Sequence, residues 1–251
     1  MTGKIIVTGM IISCTNAGEV DKRVSMLTKE NGKISAFAKG AKRPTSQLLA
    51  ACNPFVFGEF ELYVGRSAYT LVKANVKNYF NEIQSDLESV YYGSYLLELA
   101  DYFTKENNDE VEVLKLLYQS VKALCYPKID NRLVRAIYEM KILVINGLFP
   151  SCFECKTCGN KNDIIGFSFM NNGVICSDCY SSVSDFMELD SSAIYALQYI
   201  ISTPSAKLFN FTVTNKVLED MNMVITHYFR RNLDRRLKSE EFLNDILENP
   251  F

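Results

Sequence analysis

Residues 150–180 read PSCFECKTCGNKNDIIGFSFMNNGVICSDCY and hold five of the chain's eight cysteines. Cys155 and Cys158 form one C-x2-C pair, and Cys176 and Cys179 form a second, with positions 159–175 between them. That spacing belongs to the four-thiolate metal pattern. A two-residue gap lets a tight turn aim both sulfurs at one ion, and two such turns complete a tetrahedron. Gly159, directly behind the first pair, supplies the positive φ that a sharp knuckle needs. The insert reads as a hairpin with Asn172-Gly173 as its turn. Cys152 opens a second register with Cys155, but the glycine behind Cys158 favours Cys155 and Cys158. Four thiolates leave no place for water or substrate, so the expected Zn2+ is structural. The alternative is a set of unrelated buried thiols, which the paired spacing argues against.

Outward from this segment, 251 residues suffice for two or three compact units. A hydrophobic content of 48% with 22% charged residues is that of a globular, water-facing protein. No stretch approaches the roughly 20 apolar residues that span a bilayer. The start, MTGKIIVTGM, lacks the apolar core and small-residue site of a secretory signal. With the C-x2-C pairs read as metal ligands and Cys14, Cys52 and Cys125 scattered, a reducing cytoplasm is the expected location.

The net charge of −2 conceals an asymmetry, since residues 1–80 carry 11 Lys/Arg against 5 Asp/Glu while residues 81–251 carry 16 against 24. A basic first third points to a polyanionic partner there. That same third reads as β structure. Lys4–Ser13, Val20–Thr28, Lys33–Ala38, Pro54–Val64 and Ala68–Val76 are β-branched or alternating runs with turn residues between them. Five short strands predict a small barrel or sandwich.

From residue 81 the apolar period changes to that of helices. One begins near Leu87, a second covers Val111–Leu124, and a third covers Arg132–Ile145 and stops at Asn146-Gly147. Beyond the cysteines, Asp190–Ile201 and Val213–Leu237 read as helices, Lys238–Leu247 as a short last one, and Glu248–Phe251 as a frayed end. The expected organisation is α+β. Residues 1–80 form a five-stranded β unit, residues 81–149 and 181–251 an all-helical domain, and residues 150–180 a zinc module inserted in it.

Catalytic signals are poor. His227 is the only histidine, which makes a Ser/His/Asp triad improbable. No nucleophile elbow, metalloprotease helix, dinucleotide fingerprint or phosphate-cradling loop is present. The binding candidate is instead KENGKISAFAKGAKRPTS, residues 29–46. Its Lys29, Lys33, Lys39, Lys42 and Arg43 fall within fifteen residues and suit contact with phosphates. Phe37 lies among them and suits base stacking, although alternation favours it as a barrel-core residue.

These residues carry a family resemblance. The run from Gly3 to Gly18, Glu19 and Asp21 resembles the bacterial RecO recombination mediators. So do Thr28, Gly32-Lys33-Ile34-Ser35, Ala38 through Arg43, Ser46, Pro54-Phe55 and Glu59 with Glu61-Leu62-Tyr63. Downstream, Gly147-Leu148-Phe149-Pro150, the four cysteines with Gly159, Phe167-Ser168 and Gly173, and the stretch from His227-Tyr228 to Ser239 are similar to that family's later blocks. The resemblance implies that residues 1–80 are a five-stranded OB-fold barrel that binds DNA, and that the chain is a non-catalytic DNA repair and recombination protein of the RecF pathway. By matching position it implies Lys33, Lys39, Lys42 and Arg43 as phosphate contacts, with Lys22 and Arg23, which flank the acidic motif, as further candidates. Such a protein binds single- and double-stranded DNA, anneals strands, and works with RecR to load RecA onto DNA coated by single-strand-binding protein (SSB). It also implies contact with the SSB C-terminal tail, for which Arg132 and Arg135, beside Leu133, Ile137 and Tyr138, are the candidates. The alternative function is a non-catalytic interaction scaffold with a structural zinc site.

Overall fold

The computed structural model describes residues 3–66 and 68–248. Ser67 and residues 249–251, most of the expected frayed end, lie outside the described residues. The chain divides into two compact units, Met1–Tyr126 with Leu237–Phe251, and Pro127–Arg236.

The first unit is built on five strands: β1 (Lys4–Ala17), β2 (Asp21–Thr28), β3 (Gly32–Ala38), β4 (Phe57–Val64) and β5 (Tyr69–Asn78). They close a barrel in the order β1-β2-β3-β5-β4, as in an OB fold. All pairings are antiparallel except β3 with β5, which touch in parallel at Ala36–Tyr69 and Phe37–Thr70. Closure depends on β1, which pairs with β4 through Lys4–Met10 and with β2 through Gly9–Ala17, bending at a bulge between Ile11 and Ser13. Bulges re-aim strands in this way. At the crossover Gly9 faces Gly58 on one side and Thr28 on the other. A Cβ at Gly9 would lie 2.3 Å from the Leu27 carbonyl oxygen, so only glycine fits the corner.

Period-two patterning fills the interior with Val7, Ile11, Val24, Met26, Ile34, Ala36, Phe60, Leu62 and Leu71. Thr28 is fully buried, yet its hydroxyl donates to the Gly32 carbonyl at 2.8 Å and accepts from the Asn31 N–H at 3.2 Å, which fixes the β2–β3 turn. Packed in the same unit are α1 (Leu87–Phe103), capped by the Asp86 carboxylate, and α2 (Val111–Leu124). The last helix, whose label follows below, starts at Lys238, where the Glu98 carboxylate accepts the Ser239 N–H at 2.8 Å. An acid at a helix N-terminus satisfies donors that lack an intrahelical partner.

The second unit contains α3 (Asn131–Ile145), α4 (Ser191–Ser202) and α5 (Asn215–Asn232), and the remaining helix of the chain is α6 (Lys238–Glu248). Asp130, Asp190 and Thr214 accept N–H groups at the first turns of α3, α4 and α5. Ten of the fifteen residues of α3 are buried, among them Glu139 and Lys141. Arg135 pairs with Glu139 at 2.6 Å, and Lys141 donates to the Ile200 and Ile201 carbonyls at the end of α4 at 3.1 and 3.0 Å. Between α3 and α4 the chain forms a three-stranded sheet, β7-β6-β8, from β6 (Ile164–Ser168), β7 (Gly173–Cys176) and β8 (Phe186–Glu188). The β6–β7 connection differs from the expected two-residue turn. Ser168 pairs with Gly173, so residues 169–172 form the loop, with Asn172 at φ 55° and Gly173 already in the strand.

Gly9→Ala is expected to lower stability by about 1–3 kcal/mol through overpacking, whereas Gly3→Ala, with nothing within 4 Å of its added Cβ, leaves it unchanged. Urea unfolding followed by circular dichroism checks this, and equal midpoints for the two variants would contradict the account of the corner.

Candidate metal centre and nucleic-acid interface

The sulfurs of Cys155, Cys158, Cys176 and Cys179 all lie within 4.8 Å of one another, and those of Cys158 and Cys176 are 3.7 Å apart. Tetrahedral Zn2+ with Zn–S bonds near 2.3 Å separates its sulfurs by about 3.8 Å, so the quartet fits one such ion. Soft thiolates also suit zinc and disfavour magnesium or calcium.

Local backbone makes the quartet. At the first knuckle the Gly159 N–H donates to the Cys155 carbonyl at 2.8 Å, with Gly159 at φ 77°. The segment leading into it is stitched along β7 by three bonds: Ser151 N–H to Asn172, Val174 N–H to Ser151, and Lys156 N–H to Val174. The second knuckle follows where β7 ends, and the Cys179 N–H donates to the Cys176 carbonyl at 3.1 Å. Burial pushes the Cys155 thiol up, but N–H groups of Cys176, Cys158 and Thr157 outweigh it and hold the group near 6. Hydrogen bonding to Cys158, with burial behind it, pushes Cys179 up to about 12.

Cys152 is not a member of the quartet. It is fully buried, burial raises its thiol to about 12, and its carbonyl accepts from the Gln198 amide at 2.7 Å. Cys155, Ile175 and Cys176 are buried in a small core around the quartet, with Ile164, Cys179, Val183 and Phe186 packed against it.

The predicted phosphate contacts fall into three groups. Lys39, Lys42 and Arg43 are exposed on the loop after β3, and among the described residues none has an ion-pair partner. That loop is pinned to the β1–β2 turn. The Gly40 N–H donates to the Asp21 carboxylate at 2.7 Å and the Lys42 N–H to the Val20 carbonyl at 2.9 Å, with Gly40 at φ 64°. Lys22 reaches toward the Leu49 carbonyl and the Asn53 amide, each at 3.4 Å. Arg23 is exposed on β2 and donates to the Ser35 hydroxyl at 2.9 Å. Lys33, by contrast, is committed elsewhere. Its ammonium donates to the Asp101 carbonyl at 2.6 Å and pairs with the Asp101 carboxylate at 3.2 Å.

Phe37 departs from the core position that alternation favoured. It shares the outward parity of Lys33 and Ser35, lies opposite Arg23 across the strands, and is 40% exposed. With Arg23, Arg66, Tyr69, Glu106 and Asn107 it lines a groove of about 500 Å³ on the barrel's outer face. Sequence reading missed Arg66 and Tyr69. The available signals were a basic residue in the β4–β5 turn and a tyrosine that opens β5.

Arg132 is bonded to Asp130 and Asn215, Arg135 to Glu139, and Leu133, Ile137 and Tyr138 are buried. His227 is exposed and stacks on Phe169 with ring centres 4.1 Å apart.

A family profile described as "Recombination protein O N terminal" matches residues 1–80, and one described as "Recombination protein O C terminal" matches residues 84–241. The chain belongs to the recombination protein O family. It is 29% identical over 240 residues to the DNA repair protein RecO of Acetivibrio thermocellus, spanning 95% of this chain and 96% of that one. It is 32% identical over 238 residues to the DNA repair protein RecO of Listeria welshimeri, spanning 95% and 93%. A similar likeness, 30% over 238 residues, links it to the DNA repair protein RecO of Bacillus pumilus. As a RecO family member the chain pairs an N-terminal barrel with a C-terminal region bearing the thiol quartet. No helix among the described residues is long and apolar enough to cross a membrane.

Cys158→Ser is expected to abolish bound zinc and Cys152→Ser to leave one ion per chain, as measured by inductively coupled plasma mass spectrometry on purified protein. Zinc retained by Cys158→Ser and lost from Cys152→Ser would assign the ligands wrongly here.

Proposed function

We propose that this chain is a non-catalytic DNA-binding recombination mediator. It binds and anneals single-stranded DNA and, with RecR, helps load RecA onto SSB-coated DNA in RecF-pathway repair. The observation that carries the reading is the barrel's outer face. An unpaired basic loop there adjoins a groove holding Arg23, Arg66, Phe37 and Tyr69. Cations that track a backbone beside rings that stack on bases are the two elements of single-strand recognition.

Lys39, Lys42 and Arg43 contact phosphates, and the Asp21 carboxylate positions them by holding Gly40. Arg23 sits on the groove itself, and Lys22 lies beside the loop. Lys33 supports the β3 end of the barrel through Asp101 and contributes less to phosphate binding than the loop does. Zn2+ held by Cys155, Cys158, Cys176 and Cys179 is structural. DNA repair is the function named for the relatives, and membership of their family extends it to this chain. A cytoplasmic, nucleoid-associated location follows from that role.

Replacing Lys39, Lys42 and Arg43 together by glutamate is expected to weaken oligonucleotide binding by at least about 100-fold at moderate salt. The wild type should show a log–log salt slope of roughly −3 for four neutralised phosphates. Fluorescence anisotropy with labelled oligothymidylate measures both quantities. Unchanged affinity in the triple variant would leave the interaction scaffold as the better reading.

A further inference from the structure

We propose that the C-terminal end of α5, in the second compact unit, carries a separate site for single-stranded nucleic acid. Arg230 and Arg231 line an open groove of about 860 Å³ with His227, Phe169, Met187 and Met223. Both arginines are exposed and, among the described residues, neither forms an ion pair. Arg231 lies 3.5 Å from the Phe169 carbonyl and 3.4 Å from the Asn172 amide oxygen, contacts that aim it along the β6–β7 loop. The His227–Phe169 stack presents an aromatic surface beside the two guanidinium groups. Arg235 and Arg236, both exposed, continue the basic run just past the helix.

Cationic side chains along a path, with rings beside them, suit a phosphate backbone whose bases are unpaired. Arginine planes also stack on bases. Glu219 lies on the same groove and disfavours an anion at that end, so the strand is placed toward Arg230 and Arg231. A duplex offers no free base faces to the His227–Phe169 surface, which gives the preference for single strands. The site adds to the barrel interface, and the two lie in different compact units. One chain can then hold two strands, the minimum that annealing by a single chain requires.

The test uses full-length, zinc-loaded protein and oligothymidylate, whose strands cannot pair with one another. Biotinylated oligothymidylate is immobilised, protein is added, and capture of a second, fluorescent oligothymidylate is read, with molecular mass followed by light scattering. The wild type is expected to capture the second strand. Arg230→Glu with Arg231→Glu should reduce that capture by about tenfold and leave one-strand affinity and mass unchanged, while the lysine pair retains capture. Should charge reversal unfold the unit, the alanine pair reads the same quantity. Capture at wild-type level in the glutamate or alanine pair overturns the inference, as does a changed molecular mass. So does a loss confined to binding of a fluorescent Asp/Phe peptide, which would make the groove a peptide site. The Lys39, Lys42 and Arg43 glutamate variant should keep only the residual one-strand binding of this weaker site, at least about 100-fold below wild type, which the α5 substitutions then remove. Full two-strand capture by that variant would instead overturn the barrel reading alone.

Discussion

Four thiol sulfurs brought within 4.8 Å of one another set the conditions for everything between α3 and α4. Four thiolates that close repel one another, which favours a divalent cation among them. A divalent ion bound by the quartet would replace the thiol protons and tie the two knuckles together. The sheet so braced meets the helices of its own unit through Phe167 against Tyr228, Phe169 against His227, and the Gln198 bond to Cys152.

A second constraint governs the barrel. Because β1 must pair with both β4 and β2, it needs a bulge and a corner without a side chain, and Gly9 opposite Gly58 provides that corner. Closure in turn directs one parity of β2 and β3 outward, which puts Arg23, Ser35 and Phe37 together. The basic loop follows β3 directly and is fixed through Asp21, so its charges are presented on an ordered backbone. Lower conformational entropy in the free state leaves more of the contact energy for the ligand.

Much of this was legible in the residues. The C-x2-C spacing marked the quartet, the glycine behind Cys158 marked its register, and five alternating runs marked five strands. Capping residues placed α4 within one position of the expected start, with Asp190 at the cap. What escaped had physical causes. Phe37 is the largest apolar residue of β3 and sits between Ala36 and Ala38, so it resembles a core position until pairing with Arg23 fixes its parity. Lys33 reads as one more cation in a basic stretch, and only the approach of Asp101, 68 positions later in the chain, commits it to a partner. The three residues of β8 are too few to show a period, and the strand exists because β6 offers it an edge. The arginines after His227 were hidden by the acidic balance of residues 81–251, since a regional sum does not record local clusters.

The central claim is that nucleic acid binds the outer face of the barrel. Photocrosslinking tests it most directly. Oligodeoxynucleotide carrying 5-iodouracil is irradiated with the full-length, zinc-loaded protein, and the modified peptides are mapped by mass spectrometry. The account predicts adducts at Phe37 or Tyr69, abolished by excess unlabelled single strand. Adducts confined to the cysteine-bearing segment 150–180, with none on β3 or β5, would contradict it.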